Sequence, residues 1–154
     1  MSGERVVYGA AVLARVAALC EADPEREACG LVVRRAPGAP LEALAIPNVA
    51  DRYHAADPAR FPRTSRDAYL MDPAAQLRLL RELDASGGAV VAVWHSHVEV
   101  GAYFSAKDRA DAVVEGLQVV PGAEYLVLGV RAGKVTETRR YRWDGADFVE
   151  SPAD

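Results

Sequence analysis

The sequence predicts an α/β domain built on one mixed, curved β-sheet with about three helices. Three observations point that way. Residues 89–94, Ala-Val-Val-Ala-Val-Trp, are continuously apolar and follow Gly87-Gly88, as expected of a central strand buried on both faces. Three other segments carry apolar residues at helical spacing. Pairs of short apolar runs broken by turn-forming residues predict antiparallel hairpins.

The elements follow in order. Residues 10–20 place Leu13, Val16, Ala17 and Cys20 on one helical face. Residues 28–34 and 41–46 flank Ala36-Pro37-Gly38-Ala39-Pro40 and predict a hairpin. From 47 to 67 the pattern dissolves into Asp, Arg, Pro and Ala, a loop of a length that is often functional and here a candidate specificity element. A short strand is expected over 68–71. Asp72-Pro73 supplies an N-cap with proline at the first helical position, and the helix carries Leu77, Leu80 and Leu83 before stopping at Gly87-Gly88. A helix is expected over 106–116, with Ala110, Val113, Val114 and Leu117 turned inward. Residues 125–130 and 135–143 form a hairpin across 131–134, and Asp144-Gly145 leads to a last strand over 146–150.

A length of 154 residues with 51% hydrophobic content suits a single domain over 1–154 with a substantial core. The net charge of −4 and the absence of a basic block argue against a nucleic-acid partner. Lys107 and Lys134 are the only lysines, a bias of composition rather than of function. Cys20 and Cys29 lack zinc-knuckle or redox spacing and read as buried thiols, which suits a reducing cytoplasm. Met1-Ser2-Gly3-Glu4-Arg5 leads into no long apolar run, so no signal peptide is expected. No stretch approaches the roughly 20 apolar residues of a membrane span. A cytoplasmic protein is therefore expected, and nothing in the chain specifies an oligomeric state.

The chemistry concentrates in His95-Ser96-His97, Ser105 and Asp108. Alternate strand residues share a face with Cα atoms roughly 6–7 Å apart, so His95 and His97 can face one metal ion while Ser96 points away. Asp108, in the first turn of the following helix, can join as a third ligand, where a carboxylate also suits the helix dipole. Two imidazoles and a carboxylate point to Zn2+, and three protein ligands are the catalytic count because a structural zinc usually has four. Catalysis also needs a proton acceptor, and Glu27 is the candidate. Ser105 could donate its hydroxyl to a developing oxyanion.

Glu27-Ala28-Cys29-Gly30-Leu31 followed by His95-Ser96-His97, Ser105 and Asp108 resembles the JAMM/MPN+ zinc metallopeptidases, especially their compact bacterial members. The likeness runs from the first helix to the strand near Val130. It implies a cytidine-deaminase-like architecture, with zinc on His95, His97 and Asp108, Glu27 as general acid/base and Ser105 stabilising the tetrahedral intermediate. It also implies hydrolysis of an amide bond. In eukaryotic members that bond joins ubiquitin-like modifiers to lysines, and bacterial members are associated with sulfur-carrier proteins cut after a C-terminal Gly-Gly. This chain has Val98 and Phe104 where the family usually has proline, so the loop between them is expected to be shaped differently.

Plainer roles stand beside these. Ser105 to Asp108 is also a capping box, which need not exclude a site. Glu25-Arg26-Glu27 could be a solvated charge cluster, His54 reads as a surface histidine, and Cys29 reads as a small buried thiol rather than a nucleophile. Trp94 and Tyr103 read as packing residues, with Tyr103 also able to wall a pocket. Two other functions compete with the isopeptidase: a non-catalytic MPN-type scaffold and a zinc hydrolase of small peptides.

Overall fold

The computed structural model describes residues 5–153; residues 1–4, on which most of the reading of the N-terminus rests, lie outside the described part. In chain order the elements are α1 (Ala10–Glu21), β1 (Cys29–Arg34), β2 (Leu41–Ile46), α2 (Ala50–Ala56), α3 (Pro73–Ser86), β3 (Ala89–Val98), α4 (Ala106–Ala112), β4 (Val113–Val114), β5 (Leu117–Gln118), β6 (Glu124–Arg131), β7 (Lys134–Trp143) and β8 (Phe148–Pro152). Six strands form one mixed sheet in the order β2-β1-β3-β6-β7-β8. Only β3 and β6 run parallel among these pairs, and the chain between them crosses over through α4. The α/β class and the mixed sheet are as the sequence predicts.

The central strands divide the core. Val93 faces one side with Tyr125, Val127 and Leu31, where Leu83 of α3 and Ala112 of α4 also pack. Trp94 faces the other with Leu126 and Leu128, beneath Val16 and Cys20 of α1. Burial on both faces is why 89–94 and 124–130 lack alternation. Cys20 and Cys29 are buried free thiols, as expected. Gly30 lets β1 approach this layer closely: a Cβ there would lie 2.0 Å from the Leu44 carbonyl oxygen and 2.5 Å from the Trp94 indole.

Four local expectations are overturned. Residues 47–67 are not one irregular loop, because 50–56 form α2, started by the Asn48 side chain accepting the Ala50 N–H at 3.0 Å. With this helix the sheet is accompanied by four helices, in keeping with the about three expected. Residues 68–71 make only an isolated bridge, Asn48 to Met71, since no neighbouring strand continues the ladder. The helix expected over 106–116 ends at Ala112, where Glu115-Gly116 adopts positive φ and turns 113–118 into a two-residue hairpin. Val114 and Leu117 are consequently exposed rather than inward. The apolar spacing suited both a helix and a turn-linked ribbon, and Glu115-Gly116 decided for the ribbon. The last strand is also displaced, to Phe148–Pro152, because Asp144 closes a longer turn by accepting the N–H groups of Ala146 and Asp147.

Candidate metal centre

The site forms where β3 emerges between β1 and β6. His95 pairs in register with Cys29 on one side and Val127 on the other, which fixes its ring against the sheet. His95 and His97 project to one face and Ser96 to the opposite one. Ser96 is not idle: its Oγ accepts the Ala28 N–H at 2.8 Å and its own N–H donates to the Ala28 carbonyl at 2.9 Å. That clamp sets the residue next to Glu27. Glu27 is held further by its N–H on the Ser65 carbonyl and by Asn48, whose Nδ2 donates to its carbonyl at 2.8 Å.

Asp108 arrives from the first turn of α4. Ser105 caps that helix through a reciprocal box: its Oγ accepts the Asp108 N–H at 3.0 Å, and its N–H donates to Asp108 Oδ2 at 3.0 Å. The box thus aims the carboxylate as well as capping the helix. Phe104 anchors the preceding loop, stacked on Tyr141 and packed against Tyr125 and Phe148. An aromatic plug therefore does the work that a rigid proline could do at this position.

Three side-chain atoms converge. His95 Nε2 and His97 Nε2 lie 3.2 Å apart, and Asp108 Oδ2 lies 3.2 Å from the first and 3.3 Å from the second. Donors of a tetrahedral zinc at ordinary bond lengths stand about 3.3–3.4 Å apart. His97 Nδ1 donates to the Gly101 carbonyl at 2.9 Å, so in the neutral ring its Nε2 carries a lone pair facing another acceptor. A cation at the centre satisfies all three at once, and the Nδ1–carbonyl bond is the usual support of a metal-bound imidazole. The residues present fit the ion.

The surroundings shift the protonation of each group in the metal-free cluster. Burial pushes His95 down toward the neutral form, against the pull of Asp108. Burial alone would raise Asp108, but the two imidazoles and the Ser105 N–H outweigh it and hold the carboxyl well below its usual range. Burial would lower His97, and the nearby Asp108 and Gly101 oxygens and Glu27 reverse this.

Glu27 closes the arrangement. It is buried, and its carboxylate lies within 4.8 Å of the ligand atoms of both histidines, so Glu27, His95 and His97 also form a group that could hold a metal ion. Asp108 approaches the imidazoles more closely than that limit requires, so the tighter set contains Asp108 and leaves Glu27 beside it. Burial raises the Glu27 carboxyl to about 8, with Asp108 adding to the rise and His97 opposing it. A carboxyl with this affinity for protons suits proton transfer near neutrality. Glu27, His97, Ser105 and Asp108 line one cavity of about 160 Å³, which Tyr103 borders, edge-on to His97.

Other candidates fall elsewhere. Trp94 is fully buried on the face away from the site. His54 is half-buried and binds the Phe61 carbonyl through Nδ1 at 2.7 Å, bracing the segment after α2. Tyr69, stacked on His95 with ring centroids 4.4 Å apart, and Asn48 were not foreseen as site residues. Pro47-Asn48 at the end of an apolar run was the available signal, but it reads as an ordinary turn.

A sequence model described as prokaryotic homologs of the JAB domain matches residues 9–144. The chain belongs to this JAB family. The family includes metallohydrolases, and the buried Glu-His-His group here could hold a metal ion. The JAB-family chain also resembles two solution structures in fold. A Desulfitobacterium hafniense protein, 20% identical, aligns over 92% of this chain and 86% of its own with a TM-score of 0.64. A Salinibacter ruber protein, 18% identical, aligns over 96% of this chain and 90% of its own with a TM-score of 0.57. No curated protein matches it. Among the described residues, no helix is long and apolar enough to cross a membrane.

Proposed function

We propose that this JAB-family chain is a zinc-dependent amide hydrolase that cuts after the C-terminal Gly-Gly of a ubiquitin-like or sulfur-carrier protein. The observation that carries the reading is the triangle of His95 Nε2, His97 Nε2 and Asp108 Oδ2, with sides of 3.2–3.3 Å, beside a buried carboxyl. His95, His97 and Asp108 would hold the ion, which supplies Lewis acidity toward water and the amide carbonyl. Glu27 takes a proton from the attacking water and delivers one to the leaving nitrogen. Ser105 accepts the Asp108 N–H on its Oγ and keeps its hydroxyl proton for the developing oxyanion. Water adds to the carbonyl carbon, the C–N bond breaks, and the products are a carboxylic acid and a free amine.

The Gly-Gly preference rests on the small volume beside the metal ligands, where residues without Cβ allow the backbone to approach. The test is cleavage of Gly-Gly-tailed ubiquitin-like proteins, alongside short peptides, with metal content measured on the same samples. Glu27→Gln is expected to keep stoichiometric zinc and lose turnover. Full turnover by that variant, or by chelated protein, would overturn the proposal. Protein that binds no zinc would favour a scaffold instead.

A further inference from the structure

A second cavity, of about 280 Å³, shares Arg63, Ala68, Tyr69 and Lys107 with the one at the metal ligands. The two are adjoining parts of one groove, and Tyr69, whose ring stacks on the buried His95, lines both. Their chemistry differs. The first is lined by Glu27, Asp67 and Asp108. The second presents Tyr53, Phe61, Tyr69 and Leu70, and no carboxylate lines it. Its volume lies just under the roughly 300 Å³ at which pockets for drug-sized ligands begin, a fit for one large residue.

Its charge is of one sign. Arg60, Arg63 and Lys107 border it, in a chain whose net charge is −4. Lys107 is engaged by Asp111. Among the described residues neither Arg60 nor Arg63 has a carboxylate partner: Arg60 lies over the Phe61 ring at 5.3 Å, and Arg63 reaches only the Asp67 backbone carbonyl at 3.4 Å. Apolar walls beside two guanidinium groups complement a residue with a large apolar side chain and a carboxylate.

Position along the substrate follows from amide chemistry. A residue with a free α-carboxylate can join the scissile amide only through its nitrogen, because on the acyl side that carboxyl is consumed in the bond. We propose that the second cavity is the leaving-group subsite. It takes a C-terminal amino acid with a large apolar side chain, whose α-carboxylate is held by Arg60 and Arg63. The inference rests on the amide-hydrolase reading above. Hydrolysis then releases the acyl protein ending in Gly-Gly and the free amino acid, the nitrogen taking the proton that Glu27 carried.

The experiment uses binding to the chelated Glu27→Gln full chain, so that turnover plays no part. N-acetyl-Gly-Gly-Phe, its C-terminal amide and N-acetyl-Gly-Gly-Gly are titrated by calorimetry. The free acid with Phe is expected to bind at least about tenfold more tightly than either relative, the scale of one charge-assisted hydrogen bond. Adding Arg60→Gln and Arg63→Gln, both at exposed positions, should erase the acid-over-amide ratio but keep the Phe-over-Gly ratio. Tyr53→Ala should do the reverse. Equal binding of acid and amide, or ratios unmoved by the arginine variants, would overturn the inference. Zinc-dependent cleavage in the active chain alongside that result would leave the hydrolase reading standing. The expected ratios without any cleavage would sink the hydrolase reading and, with it, the leaving-group role of the cavity.

Discussion

Two buried polar clusters lie on opposite faces of the same sheet, and they are built on opposite principles. Beneath α1, Tyr8 donates to Glu124 Oε1 at 2.8 Å and Arg140 Nε donates to Glu124 Oε2 at 2.7 Å, with the guanidinium over the Tyr8 ring at 5.3 Å. Each donor there meets an acceptor, and the charges compensate. Burial raises the Tyr8 hydroxyl, so it stays protonated and donating. On the other face, His95 Nε2, His97 Nε2 and Asp108 Oδ2 turn toward one another around a common centre. A buried cluster that closes on itself ties the fold together, whereas one whose lone pairs converge is shaped for a cation.

The contrast can be broken at each cluster separately. The largest expected effect is on turnover: Glu27→Gln should lower kcat by about 10²–10⁴-fold, the usual worth of a positioned acid/base, with thermal stability of the zinc-loaded protein little changed. Ser105→Ala should lower kcat by about 10²–10³-fold through the lost oxyanion donor. It should also cost about 1 kcal/mol in denaturant unfolding through the lost cap. Glu124→Gln should do the reverse, costing about 3–5 kcal/mol of stability while zinc stoichiometry stays at its original value, because a buried guanidinium loses its carboxylate. Loss of zinc in Glu124→Gln samples that remain folded would show that the two faces are not independent.

A further effect concerns pH. The Glu27 carboxyl titrates near 8 in the folded, metal-free protein and near 4.5 in the unfolded chain. Between those values the folded state holds the extra proton, so this residue's contribution to stability falls as pH rises. Urea unfolding of chelated protein at pH 5, 6.5 and 8 should show Glu27→Gln gaining on the parent by on the order of a few kcal/mol across the series. Asp108 acts with the opposite sign: its depressed carboxyl contributes stability above the usual carboxylate range, and that contribution is lost in strong acid. A difference between Glu27→Gln and the parent that does not change with pH would mean that burial does not control this carboxyl.

Local pattern alone determined a good part of this protein. The buried central strand, the helix begun by Asp72-Pro73, the hairpin across Ala132-Gly133 and the Ser105–Asp108 box are each set by residues close in sequence. The period-two spacing of His95 and His97 likewise follows from strand geometry. Tertiary structure decided the rest. Nothing near Glu27 indicates that Ser96 would pin the backbone of Ala28 and Asn48 that of Glu27, or that burial would raise its carboxyl, because those partners come from β3 and from beyond β2. The Glu115-Gly116 turn overrode an apolar spacing that suited a helix. The unpaired arginines at the second cavity became visible only when α2 and the segment after it were laid against Tyr69. Short-range preferences are written in neighbouring residues, whereas desolvation and charge pairing depend on what the folded chain brings alongside.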